Sequence, residues 1–270
     1  KVAIGGELSD RKGLNKQGGG LSAPALTDKD REDIKLAAKM KADYLAVSFP
    51  VTGQDVNDAR DLMKAAGGYA DIIAKIERAD ALDNLDDIIE ASDAIMVARG
   101  DLGVEIGDAA LPPIQKMLIQ KARKMNRIVI TATQMMESMI TSHIPTRAEV
   151  FDVANAVLDG TDAIMLSAET ASGKYPCEAV QMMVRVAVDV ERDPQLNEQF
   201  FHPLSEQSGY RSLPEAVGHA SCKVAERVGA SAILAFTQTG GTAALVSKYR
   251  PPMPVYAVTP SHAVRRRMAL

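Results

Sequence analysis

The chain has 270 residues, 46% of them hydrophobic and 24% charged, with a formal charge of -4. That composition excludes a disordered chain and supplies apolar material for one large domain or two smaller ones. An acidic balance argues against a nucleic-acid binder, which needs a basic face, and an anionic substrate would need a locally positive pocket.

In chain order, "KVAIGGELSDRKGLNKQGGGLS" opens with strand, turn and Gly-rich character. From residue 43 onward β-branched runs alternate with amphipathic stretches: "DYLAVSF" then "DVNDARDLMKAA", "DIIAKIE" then "ALDNLDDIIEA", "AIMVARG" then "LPPIQKMLIQKARKM". "IVITAT" then "RAEVFDVANAVLD", and "AIMLSAET" then "PCEAVQMMVRVAVDVE", continue the series. Five strand-then-helix units of roughly 25 to 35 residues predict a parallel sheet covered by helices, either a β/α barrel or a doubly wound sheet. "RDPQLNEQFFHPLSEQSGYRS" then breaks the rhythm and reads as a linker or peripheral segment. Beyond it, "LPEAVGHASCKVAERVGA", "SAILAFT", "GGTAALVSKYR", "PVYAVT" and a final helix read as a second α/β unit. Beyond the β/α rhythm, no tandem repeat is expected.

Polar residues choose between the two architectures. Lys75 and Glu77, Arg99 and Asp101, Thr131 and Thr133, and Ser167 and Glu169 are placed by this reading at or just past the C-terminal ends of successive strands. One rim fed by several strands is what a TIM-type barrel offers, whereas a Rossmann sheet concentrates its signal in one Gly-rich turn. "ASGKY" at 171–175 lacks the first glycine and the final Ser or Thr of a P-loop, and "GGG" at 18–20 is weaker still, so both read as turns. The fold expected is therefore α/β: a partial TIM-type (β/α)8 barrel of about five β/α units, followed by a second, incomplete α/β domain.

On the rim, Glu77 and Asp101 from neighbouring strand ends could share one hard cation such as Mg²⁺, which takes one or two protein carboxylates and fills its other positions with water and substrate oxygens. Lys75 beside them supplies a compact positive charge for a transferring phosphoryl group or an enolate. The glycines of "ARGDLGVE" let backbone N–H groups approach an anion at a helix start. Plainer readings exist for each residue: a Lys75–Glu77 ion pair, Asp101 as an N-cap, Thr133 and Ser167 as hydroxyls serving local backbone. Their joint placement on one rim favours chemistry. Cys177 and Cys222 lack CxxC spacing and read as buried or incidental thiols of a reducing compartment. Apolar runs break short of the ~20 residues a membrane span needs and no signal peptide is recognisable, so a cytoplasmic protein with no membrane or nucleic-acid partner is expected.

The segments "KGLNKQGGGLSAPALTDKD", "AKIERAD", "MVARGDLGVE", "ITATQMMESM" and "PTRAEVFDVANAVLDGTDAIMLSAETASGKYP" closely resemble the pyruvate kinase family, in its bacterial form, over nearly the whole chain. The resemblance implies phosphoryl transfer from phosphoenolpyruvate to ADP, followed by protonation of the enolate to pyruvate. It implies that Lys75 bridges the phosphoryl group and the enolate oxygen, and that Glu77 and Asp101 ligate Mg²⁺ or Mn²⁺. Ala98, Arg99 and Gly100 would form the backbone turn around the substrate carboxylate, which Thr133 would contact while helping to deliver the proton. Ser167 is similar to a serine of the proton-relay region, and Ser48 and Phe49 to substrate-binding residues at the end of an earlier strand. "FTQTGGTA" resembles an effector-phosphate loop, making Thr237, Thr239, Gly240, Gly241 and Thr242 candidates, although Gln238 stands where some relatives carry lysine.

By the same resemblance, residues 1–20 would be the tail of an inserted lid domain, 21–192 the C-terminal part of the barrel, 193–212 a linker and 213–270 the start of a C-terminal α/β domain. A complete member adds three earlier strands, an arginine for the phosphate and the K⁺ ligands, and assembles as a homotetramer. The present chain, which opens at Lys1 without methionine, reads as a piece of such a protein, inactive alone. Residues 43–50 would then form an unpaired edge that invites association. Two alternatives are another metal-dependent enolate enzyme, of aldolase or phosphoenolpyruvate mutase type, and a catalytically silent association fragment.

Overall fold

The computed structural model describes residues 5–6, 16–20, 24–193 and 210–270. The 193–212 linker expected from the sequence lies almost wholly outside the described residues. Five strands, β1 (Tyr44–Val47), β2 (Asp71–Ile76), β3 (Ala94–Ala98), β4 (Ile128–Ala132) and β5 (Ala163–Met165), form one sheet in sequence order, every neighbour parallel. Lys75 stands beside Met96 and Thr131 beside Ile164 in the register. Among the described residues, β1 and β5 are paired on one side only.

Each strand is followed by helix: α1 (Asp28–Lys39) precedes β1, and α2 (Gly53–Ala65), α3 (Asp80–Asp83), α4 (Leu85–Ala91), α5 (Arg99–Ile106), α6 (Leu111–Lys124), α7 (Arg147–Leu158), α8 (Ala168–Ala171) and α9 (Pro176–Glu191) follow. Local chemistry sets these starts. Thr27, Thr52 and Thr146 close capping boxes on Asp30, Asp55 and Glu149, and prolines enter α6 and α9 in the first turn, where no N–H partner is lost. The single helix expected over "ALDNLDDIIEA" is two, divided at Asn84, whose φ of -111° and ψ of 21° leave the helical region. "AIMLSAET" is strand only to Met165, because Glu169 folds back to accept from Ser167 N at 2.8 Å and starts the short α8.

Strand alternation divides the apolar side chains between two faces. Ile72, Ala74, Ile76, Ile95, Val97 and Val129 pack against the helices with Val56, Met63, Ile88, Ile89, Leu118 and Ile119. Ile73, Ala94, Met96, Ile130 and Ala132 fill the other face, the inner side of a barrel wall. Lys75 and Glu77 continue this inner row at the strand ends. Thr131 points the other way: it is buried and donates to Thr161 Oγ1 at 3.0 Å, which removes it from the rim on which the sequence reading put it.

The second unit comprises α10 (Leu213–Arg227), β6 (Ile233–Phe236), α11 (Gly241–Ser247), β7 (Val255–Val258) and α12 (His262–Arg267), with β6 and β7 parallel. No helix among the described residues is long and apolar enough to cross a membrane.

Candidate active site

Lys75 is the second-last residue of β2, and its ammonium lies 2.7 Å from Glu77 Oε1 and 3.1 Å from Ser48 Oγ at the end of β1. Glu77 is only 1% exposed, and its other oxygen accepts from Phe49 N at 2.9 Å. Phe49 presents that N–H from the left-handed region, at φ 56°, which is uncommon for an aromatic residue and marks a locally imposed turn. Two adjacent strand ends are thus tied around one carboxylate. Burial pushes the Glu77 carboxyl up; the Lys75 hydrogen bond and charge and the Phe49 N–H offset this, and the Asp101 charge adds to it.

Asp101 comes from the next unit. β3 ends at Ala98 and α5 begins at Arg99, so Asp101 sits inside the first turn of a helix and is not an N-cap; Ala98 holds that position, with no side-chain cap. Gly100 N donates to Thr133 Oγ1 at 2.8 Å, and the same hydroxyl lies 2.6 Å from Ala132 O, to which it donates. Thr133 stands just past β4 at φ 67°, so a left-handed turn brings its hydroxyl to the β3–α5 turn. Ser48, Phe49, Lys75, Glu77, Ala98, Gly100, Asp101 and Thr133 therefore share one end of the sheet. The Arg99 side chain turns away beneath this rim and is 5% exposed.

Ser167 follows β5 and donates its N–H to Glu169. Glu169 is 2% exposed and also accepts from Met136 N at 3.1 Å, so it braces the β4 and β5 ends from behind. Sequence reasoning missed a second brace: Glu105, 2% exposed, accepts from Ala79 N at 2.7 Å and joins the β2 and β3 turns. The "GGG" stretch approaches the same place. Gly18 N donates to Glu105 O at 2.8 Å and Gly20 N to Asp80 Oδ2 at 3.2 Å, while a Cβ on Gly19 would stand 2.6 Å from Asp80 Oδ1. A dense glycine run at a turn was its one sequence signal. In the second unit, Thr237 follows β6 and its Oγ1 accepts from Gly240 N at 2.9 Å; Thr239 lies in the same loop and Gly241 and Thr242 open α11, all three exposed.

No cluster of three or more His, Cys, Asp or Glu side chains suited to a metal occurs among the described residues. The donor set is instead Glu77 with Asp101, two hard oxygen donors close enough for one charge to raise the other's pKa. A divalent cation would relieve that repulsion, and Mg²⁺ accepts so few protein ligands readily. The rim can therefore gather an anion between an ammonium and a cation, with N–H groups of a helix start beside it.

Residues 1–180 match the family described as pyruvate kinase, barrel domain, and residues 215–270 match pyruvate kinase, alpha/beta domain. The chain is 54% identical to pyruvate kinase II of Salmonella typhimurium over 96% of its own length and 54% of that protein's. It is 45% identical to pyruvate kinase 2 of a Synechocystis species, over 100% of this chain and 45% of the relative. A crystal structure of a pyruvate kinase from Cryptosporidium parvum superposes with a TM-score of 0.90 at 41% identity, covering 94% of this chain and 54% of that one. The chain thus spans about half the length of the curated relatives it matches. With both domain families matched in order and half the residues shared with bacterial enzymes, the chain belongs to the pyruvate kinase family.

Proposed function

We propose that the protein to which this chain belongs transfers the phosphoryl group of phosphoenolpyruvate to ADP, and that the rim of β1 to β5 supplies the phosphate-neutralising and proton-delivering part of its active site. The observation that carries this reading is the Lys75 ammonium, partly buried, held between Glu77 Oε1 and Ser48 Oγ at the mouth of the sheet. The bond between phosphorus and the enol oxygen breaks, a bond to the terminal ADP oxygen forms, and the enolate carbon takes a proton. Lys75 would sit against the bridging oxygen as its charge grows, stabilising the transition state more than the ground state.

Glu77 and Asp101 would hold Mg²⁺ or Mn²⁺, which when bound supplies charge neutralisation to the phosphoryl and enolate oxygens. The first turn of α5 offers N–H groups to the substrate carboxylate. Thr133 donates its hydroxyl proton to Ala132 O and accepts from Gly100 N. One lone pair remains, which suits holding a proton-donating water better than donating directly to the carboxylate. Ser167, on the neighbouring strand end, extends the same polar edge. K⁺ dependence, a cytoplasmic location and a homotetrameric full-length protein go with this reading on family membership alone.

The test uses the full-length protein with phosphoenolpyruvate, ADP, Mg²⁺ and K⁺, following pyruvate. Lys75→Met should lower kcat by about 10²–10³ while leaving Mn²⁺ binding nearly intact. An unchanged kcat would remove Lys75 from the mechanism.

A further inference from the structure

Arg99 is the first residue of α5, yet its side chain lies under the rim and reaches the loop after β4. Its Nη2 donates to Thr133 O at 2.7 Å and Gln134 O at 3.1 Å, and its Nε to Thr133 O at 3.2 Å and Ala132 O at 3.4 Å. Nη1 meets Asp152 Oδ1 of α7 at 2.7 Å and Gln115 Oε1 of α6 at 3.4 Å. One planar fork thus collects three successive carbonyls, and a carboxylate on a third element neutralises it.

Those carbonyls belong to an unusual turn. Thr133 and Gln134 are both left-handed, at φ 67° and 54°. A β-branched residue adopts that conformation only where its surroundings over-determine it. Flipping Thr133 back would withdraw its carbonyl from Arg99 and its hydroxyl from Gly100 N together, leaving buried guanidinium N–H donors and a helix-start N–H without those acceptors. Lysine could not substitute geometrically, because an ammonium lacks the flat array of donors that spans adjacent carbonyls.

We propose that Arg99, aimed and neutralised by Asp152, is a positioning residue that locks Thr133 in its left-handed turn, so that the Thr133 hydroxyl faces the rim in the geometry that orders the proton donor. The inference rests on the reading of Thr133 as part of the pyruvate-forming site. Its motive is the double staple between the β3 and β4 turns: the Arg99 side chain on the Thr133 carbonyl, and the Gly100 amide on the Thr133 hydroxyl.

A double-mutant cycle in the full-length protein tests it. Thr133→Ala, Arg99→Lys and the pair are compared for solvent-proton exchange into pyruvate, which reports enolate protonation, and for overall kcat; Arg99→Lys keeps a cation beside Asp152 if Arg99→Met proves too unstable to purify. Arg99→Lys should slow proton exchange about tenfold or more, and the double variant should be no slower than Thr133→Ala alone, since both changes remove the same oriented hydroxyl. Losses that multiply, or an Arg99→Lys enzyme exchanging at the wild-type rate, would overturn the proposal. Lys75→Met in the same assays keeps the two readings apart: an inactive Lys75→Met with multiplicative Arg99 and Thr133 losses sinks only the positioning role, whereas a wild-type protein that makes no pyruvate sinks the function.

Discussion

The two ends of the five-stranded sheet use the same side chain for opposite purposes. At the N-terminal ends, Asp43, Asp71, Asp93 and Asp162 each precede or begin a strand, and each meets an arginine: Arg266 at 2.8 Å, Arg267 at 2.7 Å, Arg60 at 2.7 Å and Arg250 at 2.5 Å. Asp93 and Asp162 also reach sideways, accepting from Ile72 N and Val129 N of the adjacent strand, both at 2.8 Å. At the C-terminal ends, Glu77 is deeper than any of these, is paired with a lysine of its own strand, and feels a second carboxylate. The lower carboxylates stitch strands and the second unit together through rigid forks. The upper ones are left partly frustrated, which suits the cation site proposed for them.

The sharpest way to break this contrast is Glu77→Gln. In the full-length protein it should lower kcat/KM by about a thousandfold, because one of the two candidate metal ligands is lost. Stability should move the other way, rising on the order of 1 kcal/mol at neutral pH, since a buried carboxylate raised above its usual pKa costs the fold when ionised. The sign follows from the direction of the shift: the cost is present above the folded pKa of Glu77 and relieved as pH falls through it. The gain in Glu77→Gln, measured by denaturant titration, should therefore shrink on acidification. A variant less stable than wild type at pH 7 would mean that Glu77 belongs with the structural carboxylates.

Asp162→Ala is the mirror experiment. It removes the Arg250 partner and leaves Val129 N without its acceptor, so a loss of about 2–4 kcal/mol is expected. Activity per folded molecule should stay near wild type, because the partners of Asp162, Val129 N and Arg250, lie at the opposite end of the sheet from the rim. A fall in kcat out of proportion to the folded fraction would show that the two ends are coupled.

Much of this division was legible in the sequence. The alternation of β-branched runs with amphipathic stretches predicted five parallel strands, and Lys75, Glu77 and Thr133 lie at or just past the C-terminal ends of theirs. What escaped has physical causes. Thr131 lies within β4 and faces the helices by strand alternation, whereas Thr133, just past the strand, is re-aimed to the rim by its left-handed turn, which the two-residue spacing does not reveal. Asp101 reads as a strand-end residue because nothing in "ARGDLGVE" announces that the helix starts directly at Arg99. The buried course of Arg99 depends on Asp152, 53 residues away, and no local pattern encodes that. The lower carboxylates did leave a mark: "ADY", "ADI", "SDA" and "TDA" repeat an aspartate just before or at the start of four strands.

The smallest expected effect refines the lower end. Arg123 of α6 is 6% exposed, and its Nη2 has no hydrogen-bond partner among the described residues. Burial, with the nearby Arg250 charge, pulls its pKa down to about 10, and Asp162 only partly offsets this. A Cβ on Gly160, at φ 90°, would stand 2.2 Å from Arg123 Nη1, so the guanidinium lies flat against a turn that only glycine leaves open. Unlike Arg250 beside it, it forms no ion pair with a carboxylate among the described residues. Arg123→Met keeps the long apolar stem and removes the charge, and should stabilise the protein by about 1 kcal/mol at neutral pH. For a base whose folded pKa is lowered, the penalty is present below that pKa and fades as pH climbs through about 10, so the advantage of the variant should fade over the same range. Denaturation of both proteins at pH 7 and above pH 10 checks this. A destabilised Arg123→Met would mean that the cation is paired in the full-length protein, and that the lower end of the sheet holds one more structural carboxylate or carbonyl than this half of the chain displays.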